Sequence, residues 1–272
     1  MNITTLLDKV YFAPRLKKID FYANRAGELQ HRVLDRLVRM AENTEWGKKY
    51  DYKSIHTYED FRNRLPIQTY EEVKPYVERL RAGEQNLLWP SEIRWFAKSS
   101  GTTNDKSKFL PVSKEALNDT HYQGGKDAVA LYLGQNPDSR FFSGQGLILG
   151  GSHSPNLNSR HGLVGDLSAI LIQNIHPLVN CVRVPSKKIA LMSDFEKKIE
   201  AIANSAVSKD VTSLSGVPSW MLVLIKRILE KTGKQSLEEI WPNLEVFFHG
   251  GVAFTPYREQ YKEVIRSPKM AL

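Results

Sequence analysis

Cysteine is nearly absent: Cys181 is the one thiol in 272 residues. A single thiol excludes an internal disulfide and any metal site built on several cysteines, and it fits a cytoplasmic protein. Long apolar runs are missing too. None approaches the ~18 residues of a membrane span, and the opening MNITTLLDKV lacks the basic-then-apolar order of a signal peptide, so no membrane partner is expected. There is no internal repeat, low-complexity tract or clear linker. An aromatic-interleaved basic ladder is absent as well. Basic residues outnumber acidic ones by 38 to 30, for a net charge of +8 and a pI near 9.4, yet they are dispersed among acids, as in KPYVERLRAGE. Nucleic acid is therefore not the expected partner, and the positive surplus suits small anionic substrates.

What is present is a globular composition, 41% hydrophobic and 25% charged, in a chain long enough for a sizeable core. Residues 1–88 read as a helical N-terminal cap. Leu29, Val33, Leu37, Val38 and Ala41 recur at helical spacing, TYEDFRNRLP ends at Pro66, and TYEEVKPYVERLRAG is kinked or begun at Pro75 and closed by Gly83. From 89 to 272 the pattern becomes α/β. Ile93, Trp95 and Ala97 alternate as a strand, Lys108–Val112 is a second extended piece, and Ser113 caps a helix weakened by Gly124 and Gly125. Leu147–Leu149 is a strand candidate ending at Gly150 and Gly151. Ser193 and Glu196 suggest a capping box before Phe195, Ile199, Ile202 and Ala206. A strand Val211–Leu214 turns at Gly216, Pro218 starts a helix that Gly233 closes, and Ser236 with Glu239 caps a short one. LEVFFHGG is a last strand running into glycines, and Pro256 opens a final helix. Strands alternating with helices predict a parallel or mixed sheet.

The chemistry gathers in Ala97–Val112, AKSSGTTNDKSKFLPV. Ser99, Ser100, Thr102 and Thr103 surround Gly101, and Lys106 and Lys108 follow. Hydroxyls and backbone N–H groups donate to phosphate oxygens, glycine permits close approach, and lysine supplies charge. The same composition also suits an ordinary polar hairpin loop. It is not a Walker A motif: Asp105 stands before Lys106, and the Lys106–Ser107 pair comes one position early. A second strand-to-glycine turn, His249–Gly251, follows Val246–Phe248. Ligands of open α/β sheets sit outside the carboxyl ends of strands, so the two turns can form two walls of one nucleotide site.

SSGTTNDKSKFLPVS resembles the phosphate-binding motif of adenylate-forming enzymes, and in particular the bacterial branch of the auxin-responsive-promoter family, the acyl acid–amido synthetases. PIQTYEEVKPYVERLRAGEQNLLWPSEIRWFAKSSGTT, DVTSLSGVPSWMLVLIKRI and WPNLEVFFHGGVAFTPYREQY extend the resemblance over nearly the whole chain. It implies that Ser99, Ser100, Gly101, Thr102 and Thr103 hold the nucleotide phosphates and that Lys108 is the motif's terminal, catalytic lysine. It also implies that Gly250, Gly251 and Val252 lie along adenine. Asn104 stands where glycine is common and Ser107 where proline is common; asparagine tolerates left-handed geometry, so the turn is expected to survive.

The implied cofactors are ATP and Mg²⁺, and the implied substrates are a carboxylic acid and an amine, often an amino acid. An acid–thiol ligase is the close variant, and a non-catalytic nucleotide- or acid-binding protein the alternative from another class. Complete members of the family continue into a tyrosine–serine–glutamate-type motif, a ribose-binding aspartate and a mobile C-terminal lid domain. The chain stops at IRSPKMAL before these, so the expectation is the incomplete large N-terminal domain of such an enzyme, inactive alone and with the lid absent. No metal ligands are assigned, because no nearby carboxylate completes a set with His153 and His161. His249 is open between site contact and packing. Pro218, Ser219 and Trp220 begin a helix placed to line an acyl pocket, with Trp220 itself expected in the core. Cys181 has no recognisable activating partner.

Overall fold

Parallel strands can be joined only through long crossovers, usually helices, so the strand–helix alternation of the last third dictates its own topology. The computed structural model describes residues 3–99, 107–267 and 270. Among them are seven strands: β1 Trp95–Lys98, β2 Phe109–Val112, β3 Gln145–Leu149, β4 Leu163–Gly165, β5 Arg183–Val184, β6 Val211–Gly216 and β7 Val246–His249. No helix among the described residues is long and apolar enough to cross a membrane. The chain groups into two compact units, each of which returns to itself across the sequence.

The first unit comprises Met1–Tyr11, Tyr132–His153 and Leu167–Leu272. Its sheet is parallel throughout, in the order β5-β3-β6-β7. Register places Val184, Leu147, Leu214 and Phe247 in one row across the four strands. All four are buried in a core with Ile199, Ile202 and Ala206 of the helix Phe195–Ala206 and Met221, Leu224, Ile225 and Ile228 of the helix Pro218–Thr232. Each fully buried Leu or Ile contributes roughly 1.5–3 kcal/mol, so this interior is what holds the sheet's edge in place. Its two large polar aromatics are satisfied: Trp241 Nε1 donates to the Ala206 carbonyl at 3.2 Å and Tyr261 Oη to the Pro218 carbonyl at 2.8 Å.

Local signals set the helix ends. Pro218 occupies the first turn of its helix and Gly233 closes it at φ +67°. Ser236 and Glu239 form the expected capping box. The cap of the helix Phe195–Ala206 is corrected by one residue: Asp194, not Ser193, accepts the Lys197 N–H at 3.0 Å. Asp and Ser are nearly equivalent caps, and the carboxylate adds a favourable charge at the helix N-terminus.

The second unit comprises Phe12–Leu131 and Ser154–Asp166. Helices Ala26–Ala41, Tyr58–Arg64 and Tyr70–Ala82 form where the apolar spacing predicts them. Pro75 lies inside the last of these rather than starting it, and Gly83 ends it at φ +110°. A Cβ at Gly83 would also sit 2.8 Å from the His161 ring, so this position demands glycine twice over. The three-stranded sheet has the order β2-β1-β4, with β1 antiparallel to β2 and parallel to β4. Phe96 and Val164 bury one face against Val77, Leu80, Leu87 and Ile93. Ser113 accepts the Ala116 N–H at 3.0 Å, as a cap should, and helical turns run through Gly124 and Gly125 to Gln135.

Candidate functional site

The hairpin β1–β2 carries the hydroxyl-rich loop. Its ladder runs from Trp95 opposite Val112 to Lys98 opposite Phe109. One further pair then closes the stem: the Ser99 N–H donates to the Lys108 carbonyl at 2.9 Å, and the Lys108 N–H reaches Ser99 Oγ at 3.4 Å. The two ends of the motif are thus brought together. Ser99 Oγ is the acceptor in this bond, and a hydroxyl can donate as well as accept. Tyr70 holds the other side of the stem. Its hydroxyl accepts the Phe109 N–H at 2.9 Å, and its ring lies under the Lys108 ammonium, 5.5 Å from the centroid. Four of the expected phosphate ligands, Ser100, Gly101, Thr102 and Thr103, lie outside the described residues.

In the first unit, the carboxyl edge of the parallel sheet is a row of strand ends. Leu149 pairs with Gly216 and Gly216 with His249, and each of β3, β6 and β7 ends at or beside a glycine. Gly216 is there because nothing larger fits: a Cβ would lie 2.8 Å from the Leu149 carbonyl oxygen. Gly251 has φ +84°, and a Cβ would lie 3.3 Å from Val217 Cγ2. Gly250 has open space around it, and Val252 is exposed. The β7 turn is therefore a bare backbone surface backed by Val217, the form an aromatic base needs for close approach.

His249 is exposed, yet one ring face stacks on Phe254 with centroids 4.5 Å apart. Burial first, and then the Arg258 charge, hold its pKa below the usual histidine value. Trp220 is a correction. It is 39% exposed rather than core, standing at the start of its helix with its ring edge-on to Phe195 at 6.0 Å. The apolar face of that helix is already filled by Met221, Leu224, Ile225 and Ile228, leaving Trp220 on the open side.

The profile of the GH3 family N-terminal domain matches residues 15–270. The chain belongs to the GH3 family. It is 30% identical to the indole-3-acetic acid-amido synthetase GH3.2 of Arabidopsis thaliana over 103 residues, 38% of this chain and 19% of that one. The jasmonoyl--L-amino acid synthetase JAR4 of Nicotiana attenuata is 26% identical over 106 residues, 39% of this chain and 18% of its own. Among solved structures, the GH3.15 acyl acid amido synthetase superposes with a TM-score of 0.67 at 16% identity, over 92% of this chain and 54% of that one. AtGH3.15 acyl acid amido synthetase in complex with 2,4-DB gives 0.70 at 17% identity, over 87% and 50%. At such identity the likeness establishes the fold, and the chain spans about half the length of these structures.

Within this GH3 chain, Ser99 and Lys108 meet in the second unit, and Gly250, Gly251 and Val252 form one turn in the first. Among the described residues no group of three His, Cys, Asp or Glu is placed to hold a metal ion. Cys181 is exposed. The chain also carries a group that no motif announces. Lys198 is 1% exposed, and its ammonium donates to Gly151 O at 2.9 Å, Ser152 Oγ at 2.8 Å and Gly150 O at 3.3 Å, just past the end of β3. The signal lay in the helix pattern: Lys198 falls on the apolar stripe with Phe195, Ile199 and Ile202, where a lysine is out of place.

Proposed function

We propose that this chain is the N-terminal part of an ATP-dependent acyl acid–amido synthetase of the family's bacterial branch. The observation that carries the proposal is the match of residues 15–270 to the GH3 N-terminal domain. The amido synthetase names of the relatives agree with it. The closed stem at Ser99 and Lys108 supports a phosphate loop at that position, and the bare glycine turn after β7 supports an adenine wall.

In this reading a carboxylate oxygen attacks the α-phosphorus of ATP, the bond to the β-phosphate bridging oxygen breaks, and pyrophosphate leaves. An amine nitrogen then attacks the acyl carbon, AMP departs with the bonding pair, and the nitrogen loses a proton. Ser99, Ser100, Thr102 and Thr103 donate to the phosphates, Gly101 keeps the backbone close, and Lys108 offsets their charge. Gly250, Gly251 and Val252 lie against adenine. No protein nucleophile is required, because the chemistry is alignment of two anions and stabilisation of charge. Bound with the ATP phosphates, Mg²⁺ would offset their charge and would supply Lewis acidity at phosphorus. Trp220, exposed at the sheet's carboxyl edge, offers an aromatic face to the acid. A cytoplasmic setting, where ATP is available, completes the proposal.

The test is product analysis with the full-length protein, ATP, an acid panel and the common amino acids. AMP together with an N-acyl amino acid supports the reading. Acyl transfer to thiols but to no amine would replace the amido synthetase with an acid–thiol ligase.

A further inference from the structure

We infer that Lys198 is a positioning residue of the proposed site, whose ammonium fixes the Gly150–Gly151–Ser152 turn as a wall for the carboxylic acid. The inference rests on the acid–amine ligase reading above. It begins with a cost. A lysine on a helix's apolar stripe gives up hydration that a leucine or methionine would not. Core stability alone therefore does not explain its presence, and its bonds show where it acts. An ammonium has three protons to donate. Here they reach three consecutive residues of one turn, Gly150 O, Gly151 O and Ser152 Oγ.

That turn would otherwise be a loose point of the sheet's edge, since two adjacent glycines carry much backbone freedom. It is instead held from several sides. Besides Lys198, Ser168 Oγ accepts the Gly151 N–H at 2.7 Å, and Ser152 Oγ donates to the Met192 carbonyl at 2.7 Å. A backbone segment fixed this heavily, at the carboxyl end of a central parallel strand, is what a binding site demands of its supports. Its place also fits the acid. Leu149 shares a row with Gly216 and His249, so the turn lies two strands from the β7 turn. Two strand spacings are roughly 10 Å, the scale on which an adenylate extends from its base to its acyl end. The ammonium behind the turn adds a fixed positive charge that favours a carboxylate. That charge is felt locally: burial first, with the Lys198 charge adding to it, holds the neighbouring His153 below the usual histidine pKa.

The test uses the full-length protein. Acid-dependent pyrophosphate exchange is measured for wild type, Lys198→Met, Ser152→Ala and the double variant, at a temperature where each is folded. Lys198→Met should raise KM for the acid about tenfold or more, with kcat and KM for ATP within about threefold. Ser152→Ala should shift the same constant less, and the double variant should be no worse than Lys198→Met alone. A merely structural lysine would lower the melting temperature and leave KM for the acid unmoved, and that result overturns the inference. If Lys198→Met does not fold, Ser152→Ala and Ser168→Ala decide the question in the same way. A wild type without acid-dependent exchange overturns the ligase reading instead. Deuterium exchange at Gly150–Ser152 then judges the anchor alone: faster in Lys198→Met sustains it, unchanged refutes it.

Discussion

Gly216→Ala is the sharpest test of how the sheet's carboxyl edge is built. The added methyl would meet the Leu149 carbonyl oxygen at 2.8 Å, with Leu149 Cβ and Met221 Cε at 3.4 Å. The first of these is backbone in the neighbouring strand, so relief requires β3 and β6 to part rather than a side chain to turn. Overpacking of this kind costs about 1–3 kcal/mol, which for a domain of this size lowers the melting temperature by roughly 2–12 °C. The strand ends that must shift are the ones proposed to carry the ligand, so activity should fall more than stability does. Gly250→Ala is the control at the neighbouring strand end. Nothing lies within 4 Å of its added methyl and its φ is not positive, so its stability should stay within about 0.5 kcal/mol of wild type. Gly251→Ala falls between them, with about 1–2 kcal/mol of left-handed strain and a 3.3 Å contact to Val217. Thermal and urea unfolding rank the three. An unperturbed Gly216→Ala, or a Gly250→Ala as damaged as Gly251→Ala, would refute the reasoning.

Lys108→Ala should reduce adenylation by at least about a hundredfold, as the loss of a phosphate-charge partner does. Its stability should fall by only about 0.5–1 kcal/mol, the worth of the contact with Tyr70; equal losses of melting temperature and activity would contradict the assigned role. Tyr70→Phe removes the acceptor for the Phe109 N–H and should destabilise by about 0.5–1.5 kcal/mol, with faster amide exchange confined to the hairpin stem. For pH dependence, His153 and His249 both have folded pKa values lowered chiefly by burial. The unfolded chain then binds the extra protons below about pH 6.5, so this part of the stability is whole above that pH and is lost as pH falls toward the folded values. Between pH 7 and pH 5 the wild type should lose more stability than a His153→Gln/His249→Gln variant does, measured by urea unfolding.

Much of this fold is visible in the residues, for identifiable reasons. The helix Ala26–Ala41 has a strong apolar period, Pro218 and Gly233 bracket a helix by their own geometry, and the Ser236–Glu239 box needs only local bonds. The stretch between β3 and the helix at 195 is harder. β4 has three residues and β5 two, too short to show alternation, and each exists because a distant strand pairs with it. The helix Leu167–Asn174 is apolar nearly all round, so no stripe marks it. Nor does local pattern reveal that Ser154–Asp166 returns to the unit of the hairpin while the residues on either side belong to the other.

The candidate site divides in the same way. Composition marks the hydroxyl-rich loop, the family resemblance singles out Ser99 and Lys108 within it, and the hairpin register brings those two residues together. Trp220 misleads because a large aromatic is usually core, whereas here the neighbouring aliphatics fill that face. Lys198 lies in no motif, and only its position on the stripe, beside the apolar Ile199 and Ile202, marks it.

Acid-dependent exchange of labelled pyrophosphate into ATP by the full-length protein, over a broad panel of carboxylic acids, tests the central proposal most directly. Exchange that requires one class of acid, and that is abolished by Lys108→Ala without loss of fold, is the predicted result. Exchange by Lys108→Ala at the wild-type rate, or ATP turnover by the wild type that no acid alters, would contradict it.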